Sequence, residues 1–235
     1  MAGAMSFSSG LERFITSLKN TPDGPVFNPW YAVDPDHDKS PNSPEVRKTQ
    51  LQHYFLERQE SARWLFVAEA LGYQGGHFSG MAMTSERILL GHKSVDGVMP
   101  DHVFNGVTPQ RTSKPSIKQK GFSENTATTV WKTFVQFEMD PYEVVLWNAF
   151  PWHPYDPEGG LLANRTPTGA ELEYAGPYLR AFLELFPGTE VVALGNHSSN
   201  ALTALDVSHT KLRHPSFGGA PEFRSGLRSL VNDRE

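Results

Sequence analysis

The sequence contains no cysteine. That excludes disulfides, catalytic thiols, zinc–thiolate sites and cysteine-ligated iron–sulfur clusters. No apolar run approaches the ~18 residues of a membrane span, so no membrane partner is expected. The nine histidines never fall into H-E-x-x-H or another recognised ligand spacing, and no metal is expected. A nucleophilic Ser216 finds no support, because there is no G-x-S-x-G elbow. The opening MAGAMSFSSG has neither the basic start nor the apolar stretch of a secretory signal, so a cytoplasmic location is expected. An excess of basic charge is also missing: the formal net charge is −5. This argues against a bulk nucleic-acid coat but leaves room for a local basic face, since phosphate contact depends on where Lys and Arg sit. Two such places exist, Arg111, Lys114, Lys118 and Lys120 in one polar stretch, and Lys211, Arg213, Arg224 and Arg228 near the C-terminus.

What is present is an ordinary globular composition over 235 residues, with 38% hydrophobic, 20% charged and 11% aromatic residues. One domain over 1–235, monomeric, is the expectation, with an N-terminal helix and loop over 1–43. Leu11, Phe14, Ile15 and Leu18 have helical spacing; 21–44 reads as a long loop; Val46, Leu51, Tyr54 and Phe55 share a face of a helix over 44–60. The apolar run from Trp64 to Ala68 reads as a buried strand, and 92–124, polar and without periodicity, as a loop insertion. Residues 126–137 suggest a helix, although their β-branched side chains also suit a strand. EVVLWN (143–148) and EVVALG (190–195) predict two further strands. Between them Thr168 and Glu171 form a capping box for a helix that Pro177 should kink or restart. Helices follow around 197–205 and over 220–232. Strands separated by helices predict an α/β fold, a three-layer α/β/α sandwich with a mainly parallel central sheet. Such sheets bind ligands beyond the carboxyl ends of their strands, which gathers 69–80, 148–156, 195–197 and 214–219 at one edge.

Three segments there carry chemistry. In AEALGYQGGHFSG (68–80), Glu69 ends a strand and the glycines let peptide N–H groups approach a carbonyl-rich ligand; a plain strand-to-loop turn fits the same residues. In LWNAFPWHP, Asn148 closes a buried strand with one acceptor and two donors, suited to a pyrimidine edge or to capping a turn. His153, between Trp152 and Pro154, reads as structural or rim. In RHPSFGG, His214 precedes Pro215, whose fixed φ stiffens the loop; it could donate to a developing anion or bond to backbone.

Together these segments resemble the uracil-DNA glycosylase superfamily, most nearly the branch that includes the thermophile-type enzymes. That branch has E-A-P-G, then a G-x-P-F-like stretch; here EALG (69–72) and SGMAMTSE (79–86) stand in their places. Asn148 follows an apolar strand, then come NRTPT (164–168), VVALG (191–195) and HPS (214–216), in the branch's order from about residue 62 to 231. The resemblance implies the three-layer fold and removal of uracil, or a related deaminated base, from DNA in base-excision repair, with no organic or metal cofactor. It assigns Glu69, Asn148 and His214 as catalytic: Glu69 near the hydrolytic water, Asn148 on the uracil edge, His214 on uracil O2 as charge builds. Ala70 and Gly72 would hold water and base, with Phe78 or Met83 as the pocket wall. Phe217 would wedge into the vacated stack, and Ser216, Lys211, Arg213 and Arg224 would face the DNA. The sequence departs from the branch at Leu71 (for Pro), at Met83 (for a stacking Phe) and in lacking the four cluster cysteines; Ala70 stands where other branches hold Asp or Asn. The alternative these departures raise is a degraded relative that binds DNA or a nucleobase without cleaving it.

Overall fold

The structure, a computed structural model, describes residues 2–232, with side chains from residue 7 onward. Its centre is a four-stranded sheet. The strands are β2 (Trp64–Ala70), β3 (Val144–Phe150), β5 (Glu190–Leu194) and β6 (Thr210–Leu212), in the order β3-β2-β5-β6. Every pairing is parallel, with Phe66 beside Leu146, Ala68 beside Asn148, Val67 beside Ala193 and Leu194 beside Leu212. Helices cover both faces, and so β3 is apolar except for Asn148 and buried along its whole length. Sequence reading finds three of the four strands. It misses β6, because Thr-Lys-Leu at a sheet edge offers no apolar run. Val26–Phe27 (β1), inside the stretch predicted as a long loop, and His153–Pro154 (β4) form a small antiparallel ribbon.

On one face, α1 (Ala2–Ser17), α2 (Ser43–Leu56) and α6 (Gly169–Leu185) surround Trp147. Phe182 stacks on it at 5.0 Å, and Phe14 and Phe55 meet it edge-on or tilted. On the other face, Phe134 of α5 (Asn125–Gln136) lies 5.0 Å from Phe66. The segment 126–137 is thus a helix: its threonines turn their hydroxyls onto the preceding turn, Thr128 to Glu124 O and Thr133 to Thr129 O. The Thr168–Glu171 capping box forms at 3.2 and 2.7 Å. Pro177 neither ends nor restarts α6, which runs through it. Pro177 and Glu173 both lie on the exposed face, where a carbonyl left without its helical donor reaches water. The chain is completed by two one-turn helices, α3 (Gly76–Ser79) and α4 (Glu86–Leu89), and by α7 (Asn196–Ala204) and α8 (Ala220–Asn232).

Residues 92–124 contain short 3₁₀ turns and one isolated antiparallel bridge, Ser113 to Asp38, yet they are firmly held. Glu86 is fully buried, and its carboxylate accepts the N–H groups of Thr112 and Ser113 at 2.8 and 2.9 Å and the Ser113 hydroxyl. Two members of the first basic cluster serve this anchoring. Arg111 binds the carbonyls of Lys118 and Gln119, and Lys114 those of Pro35 and Asp36. At the amino end of the sheet the buried Arg58 uses its guanidinium on five carbonyls, those of Tyr54, His102, Val103, Pro141 and Val144, at 2.7–3.0 Å.

Candidate active site

Because the four strands are parallel, their carboxyl ends share one edge. Asn148, expected to close its strand, instead interrupts the apolar run of β3 two residues before the strand ends at Phe150, and is 2% exposed. Among the described residues its buried Oδ1 has no hydrogen-bond partner. An orphaned acceptor of this kind is destabilising by about 1–3 kcal/mol and calls for a donor from a ligand. Asn148 lies in register with Ala68, on the side of the sheet that faces α5. Glu69, one residue on, projects to the other side and meets His197 at the start of α7, with Oε2 and Nε2 3.7 Å apart. Gly195 closes β5 at φ +93°, and a Cβ there would stand 3.1 Å from Cβ of His214, which follows β6. That close approach and that φ both demand glycine. Sequence reasoning placed Glu69, Asn148 and His214 at one mouth; the structure brings all three to that edge, with Glu69 and Asn148 entering from opposite faces.

The His214 ring is oriented from behind. Its Nδ1 accepts the Ser216 N–H at 3.2 Å and contacts the Ser216 hydroxyl at 2.7 Å. In the neutral ring the proton is therefore on Nε2, the free end. Burial, aided by the neighbouring Arg213 cation, pushes His214 down to about 4, so the ring is a neutral donor at neutral pH.

The loop after Glu69 is closely packed. Leu71 stands where the related branch has proline, and its side chain fills the space that Gly76 leaves, where any Cβ would lie 2.1 Å from it. Gly72 packs on Asn164, whose Oδ1 accepts the Tyr73 N–H at 3.0 Å. Phe78 has no exposed face: it stacks on Phe122 at 4.1 Å, with the His77 ring 4.3 Å away. Met83 is 4% exposed and sits at φ +45°. Among the described residues four non-glycines have positive φ. Glu138 and Asp206 come just after α5 and α7, where this conformation ends a helix. The other two, Met83 and Phe217, have no helix to end and hold local strain, which gathers at functional sites.

A family model described as the uracil DNA glycosylase superfamily matches residues 59–226, a span that holds Glu69, Asn148 and His214. The chain belongs to the uracil-DNA glycosylase superfamily. Among solved structures it resembles the crystal structure of wild-type Pedobacter heparinus SMUG2, with a TM-score of 0.62 at 14% identity, covering 96% of this chain and 98% of that one. At that identity the likeness is one of fold. No curated protein matches the chain.

In this uracil-DNA glycosylase relative, β6 and the segment after it carry an exposed set. Lys211 and Arg213 are exposed, Ser216 is half-buried, and Phe217 stands 97% exposed at φ +49°. Arg224 lies apart, on α8, where it lines a cleft of about 340 Å³ with Lys132, Asp96 and Thr128. A larger cleft, of about 610 Å³, lies between α1 and α6. Neither cleft is lined by Glu69, Asn148 or His214; at 2% exposure the Asn148 end is closed to solvent.

Sequence reasoning missed two residues at this edge of the glycosylase fold. One is His197, for which a histidine just after the V-x-x-L-G strand end was the available signal. The other is Glu124, whose carboxylate lies against Gly75, 49 positions away and invisible to any local pattern. Burial, with no cation to oppose it, raises Glu124 to about 7.

Proposed function

We propose that this protein is a DNA glycosylase that hydrolyses the N-glycosidic bond of uracil, or of a related deaminated base, in DNA. The observation that carries the reading is the buried, unpartnered Oδ1 of Asn148 at the carboxyl edge of the sheet, in a chain of this superfamily. Uracil offers the matching edge, with N3–H to meet Oδ1 and O4 to accept from Nδ2. Strand spacing puts β3 and β6 roughly 14 Å apart, a span that a base gripped by Asn148 and His214 can bridge.

In the reaction the C1′–N1 bond breaks and its electron pair goes to the base, whose O2 takes up the charge. The Nε2–H of neutral His214 is placed to donate to that oxygen. A preorganised donor of this kind is worth about 3–4 kcal/mol of barrier. Glu69 opposes the positive charge on the sugar and orients the water whose oxygen bonds to C1′, as carboxylates do in glycoside cleavage; the proton that water sheds neutralises the departing base anion. The base reaches the site by flipping, which costs a few kcal/mol. Phe217 is the wedge for the vacated stack, and Lys211, Arg213 and Ser216 meet the phosphates; Arg224, set apart on α8, is a more distant contact. Met83 walls the pocket, with Phe78 behind it, and the backbone at Ala70 and Gly72 frames the water.

A second reading is a non-cleaving relative that binds DNA or a free base. The closed Asn148 end and Ala70 in place of an acidic residue favour it. One experiment separates the two. Single- and double-stranded oligonucleotides carrying uracil, hypoxanthine or xanthine are incubated with the protein and then treated with alkali. Strand breaks at uracil are expected; salt-dependent binding with no breaks at any of the three bases establishes the second reading instead.

A further inference from the structure

A chain of buried polar contacts runs beneath the loop that follows Glu69, and neither the fold nor the proposed chemistry accounts for it. His77 and His153 are both fully buried. His77 Nε2 lies 3.0 Å from Asp34 Oδ2, and His77 Nδ1 lies 3.1 Å from His153 Nδ1. His153 Nε2 faces Ala163 O at 3.0 Å and Asn164 Oδ1 at 3.1 Å. Asn164 Oδ1 in turn takes the Tyr73 N–H, and that donor fixes which way the amide points. The chain thus links an N-terminal loop, α3, the β1–β4 ribbon and the N-R-T-P-T segment to the backbone three to four residues beyond Glu69.

Counting hydrogens decides its protonation. Asp34 is an ionised acceptor: burial pushes its carboxyl up, but the hydrogen bonds and charges of His77 and His37 together outweigh that and hold it at about 2. The far end is also an acceptor, a carbonyl and an amide oxygen. The three links, Asp34 to His77, His77 to His153, and His153 to Ala163 and Asn164, need one hydrogen each. Two neutral imidazoles supply two. The third contact closes only if one ring carries both hydrogens.

We propose that Asp34, His77, His153 and Asn164 form a proton-filled relay that positions the loop after Glu69, with the additional proton on His77. Coulomb attraction chooses His77 over His153, because it touches the Asp34 carboxylate. Phe27 stacks on the His77 ring at 4.1 Å, a face that suits a cation. Burial holds both rings below the free imidazole value, His153 at about 3; at His77 the Asp34 contact and Asp38 counter part of that effect and the Arg47 cation adds to it, so the third hydrogen is kept there by the two contacts it completes and against the cost of burial. Arg47 is itself paired with Asp38 at 2.5 Å. His37, the remaining titratable neighbour, contacts Asp34 from the solvent side at 2.8 Å. The four named residues are positioning residues: they act through Tyr73 and Gly72 and touch no substrate.

The link to catalysis rests on the glycosylase reading, whereas the protonation does not, so the two are tested separately. In the wild-type protein, ¹⁵N spectra of labelled histidine side chains at neutral pH should show His77 with both nitrogens protonated and His153 as the neutral Nε2–H form. Two neutral rings would overturn the relay, whatever the protein's activity. For the catalytic link, His153→Gln keeps a donor towards Asn164 but cuts the contact with His77. It should lower single-turnover release of uracil about tenfold with DNA affinity within about twofold. A variant that melts like wild type and cuts at the wild-type rate would overturn the positioning role. Should His153→Gln fail to fold, Asn164→Ala, at the surface end of the relay, carries the same expectation. A wild-type protein that releases no base defeats the glycosylase reading and the catalytic link, while the spectra still decide the relay.

Discussion

At the scale of single residues, Asn148 and His214 make the sharpest claims, because each holds one polar atom ready with no partner among the described residues. Asn148→Ala and His214→Ala should each slow single-turnover uracil release by at least tenfold, with melting temperatures near wild type. Full rates would remove both from the site. Two groups with opposed shifts near this edge also act on stability. The folded-state value of His214, about 4, lies below the ~6.5 of a free imidazole. The unfolded chain therefore binds the extra proton first, and stability falls as pH drops from about 6.5 to 4. Glu124 is opposite in sign. Its value of about 7 against 4.5 means the unfolded chain loses its proton first, and stability falls as pH rises from about 4.5 to 7. Glu124→Gln removes that second loss. It should raise the melting temperature by a few degrees at pH 8, with a smaller gain at pH 5, measured by calorimetry at both.

At the scale of elements, the parts legible in the sequence are those whose physics is local. Continuous apolar runs gave β2, β3 and β5, since a strand covered on both faces has no polar alternation to show. The Thr168–Glu171 box and the spacing of Phe223, Leu227 and Leu230 placed α6 and α8. Hidden were elements made by their neighbours: β6, which exists by pairing with β5; the β1–β4 ribbon; and the turns held on Glu86. The candidate site divides the same way. Glu69, Asn148 and His214 were readable from strand ends and motif order. His77, Asp34 and Glu124 were not, because they matter through contacts 43 or more positions apart. One prediction belongs to the loop after β6. Phe217 is bare and held at positive φ, so its work should lie in displacing a paired base. Phe217→Ala should slow cleavage of double-stranded uracil DNA several-fold more than of single-stranded DNA; equal losses on the two substrates would deny it the wedge.

For the molecule as a whole, an acidic net charge is compatible with the proposed DNA substrate because basic residues cluster locally, with Lys211 on β6 and Arg213 on the loop that leads to Phe217. The two ends of the sheet also differ in kind. Beyond the carboxyl ends lie strained backbone, an orphaned amide oxygen and a bare aromatic ring. At the amino ends every N–H of the Arg58 guanidinium is committed to a carbonyl, from α2, the 102–103 turn, Pro141 and the first residue of β3. Such a saturated fork cannot slide without breaking several bonds at once. Breathing that lets a base past the closed Asn148 end must then be confined to the opposite rim, like a book opened against its spine. Amide exchange should be slowest around Val144–Leu146 and fastest at 72–79 and 214–219, and Arg58→Lys, with three donors for five acceptors, should loosen the spine before it disturbs the open pages.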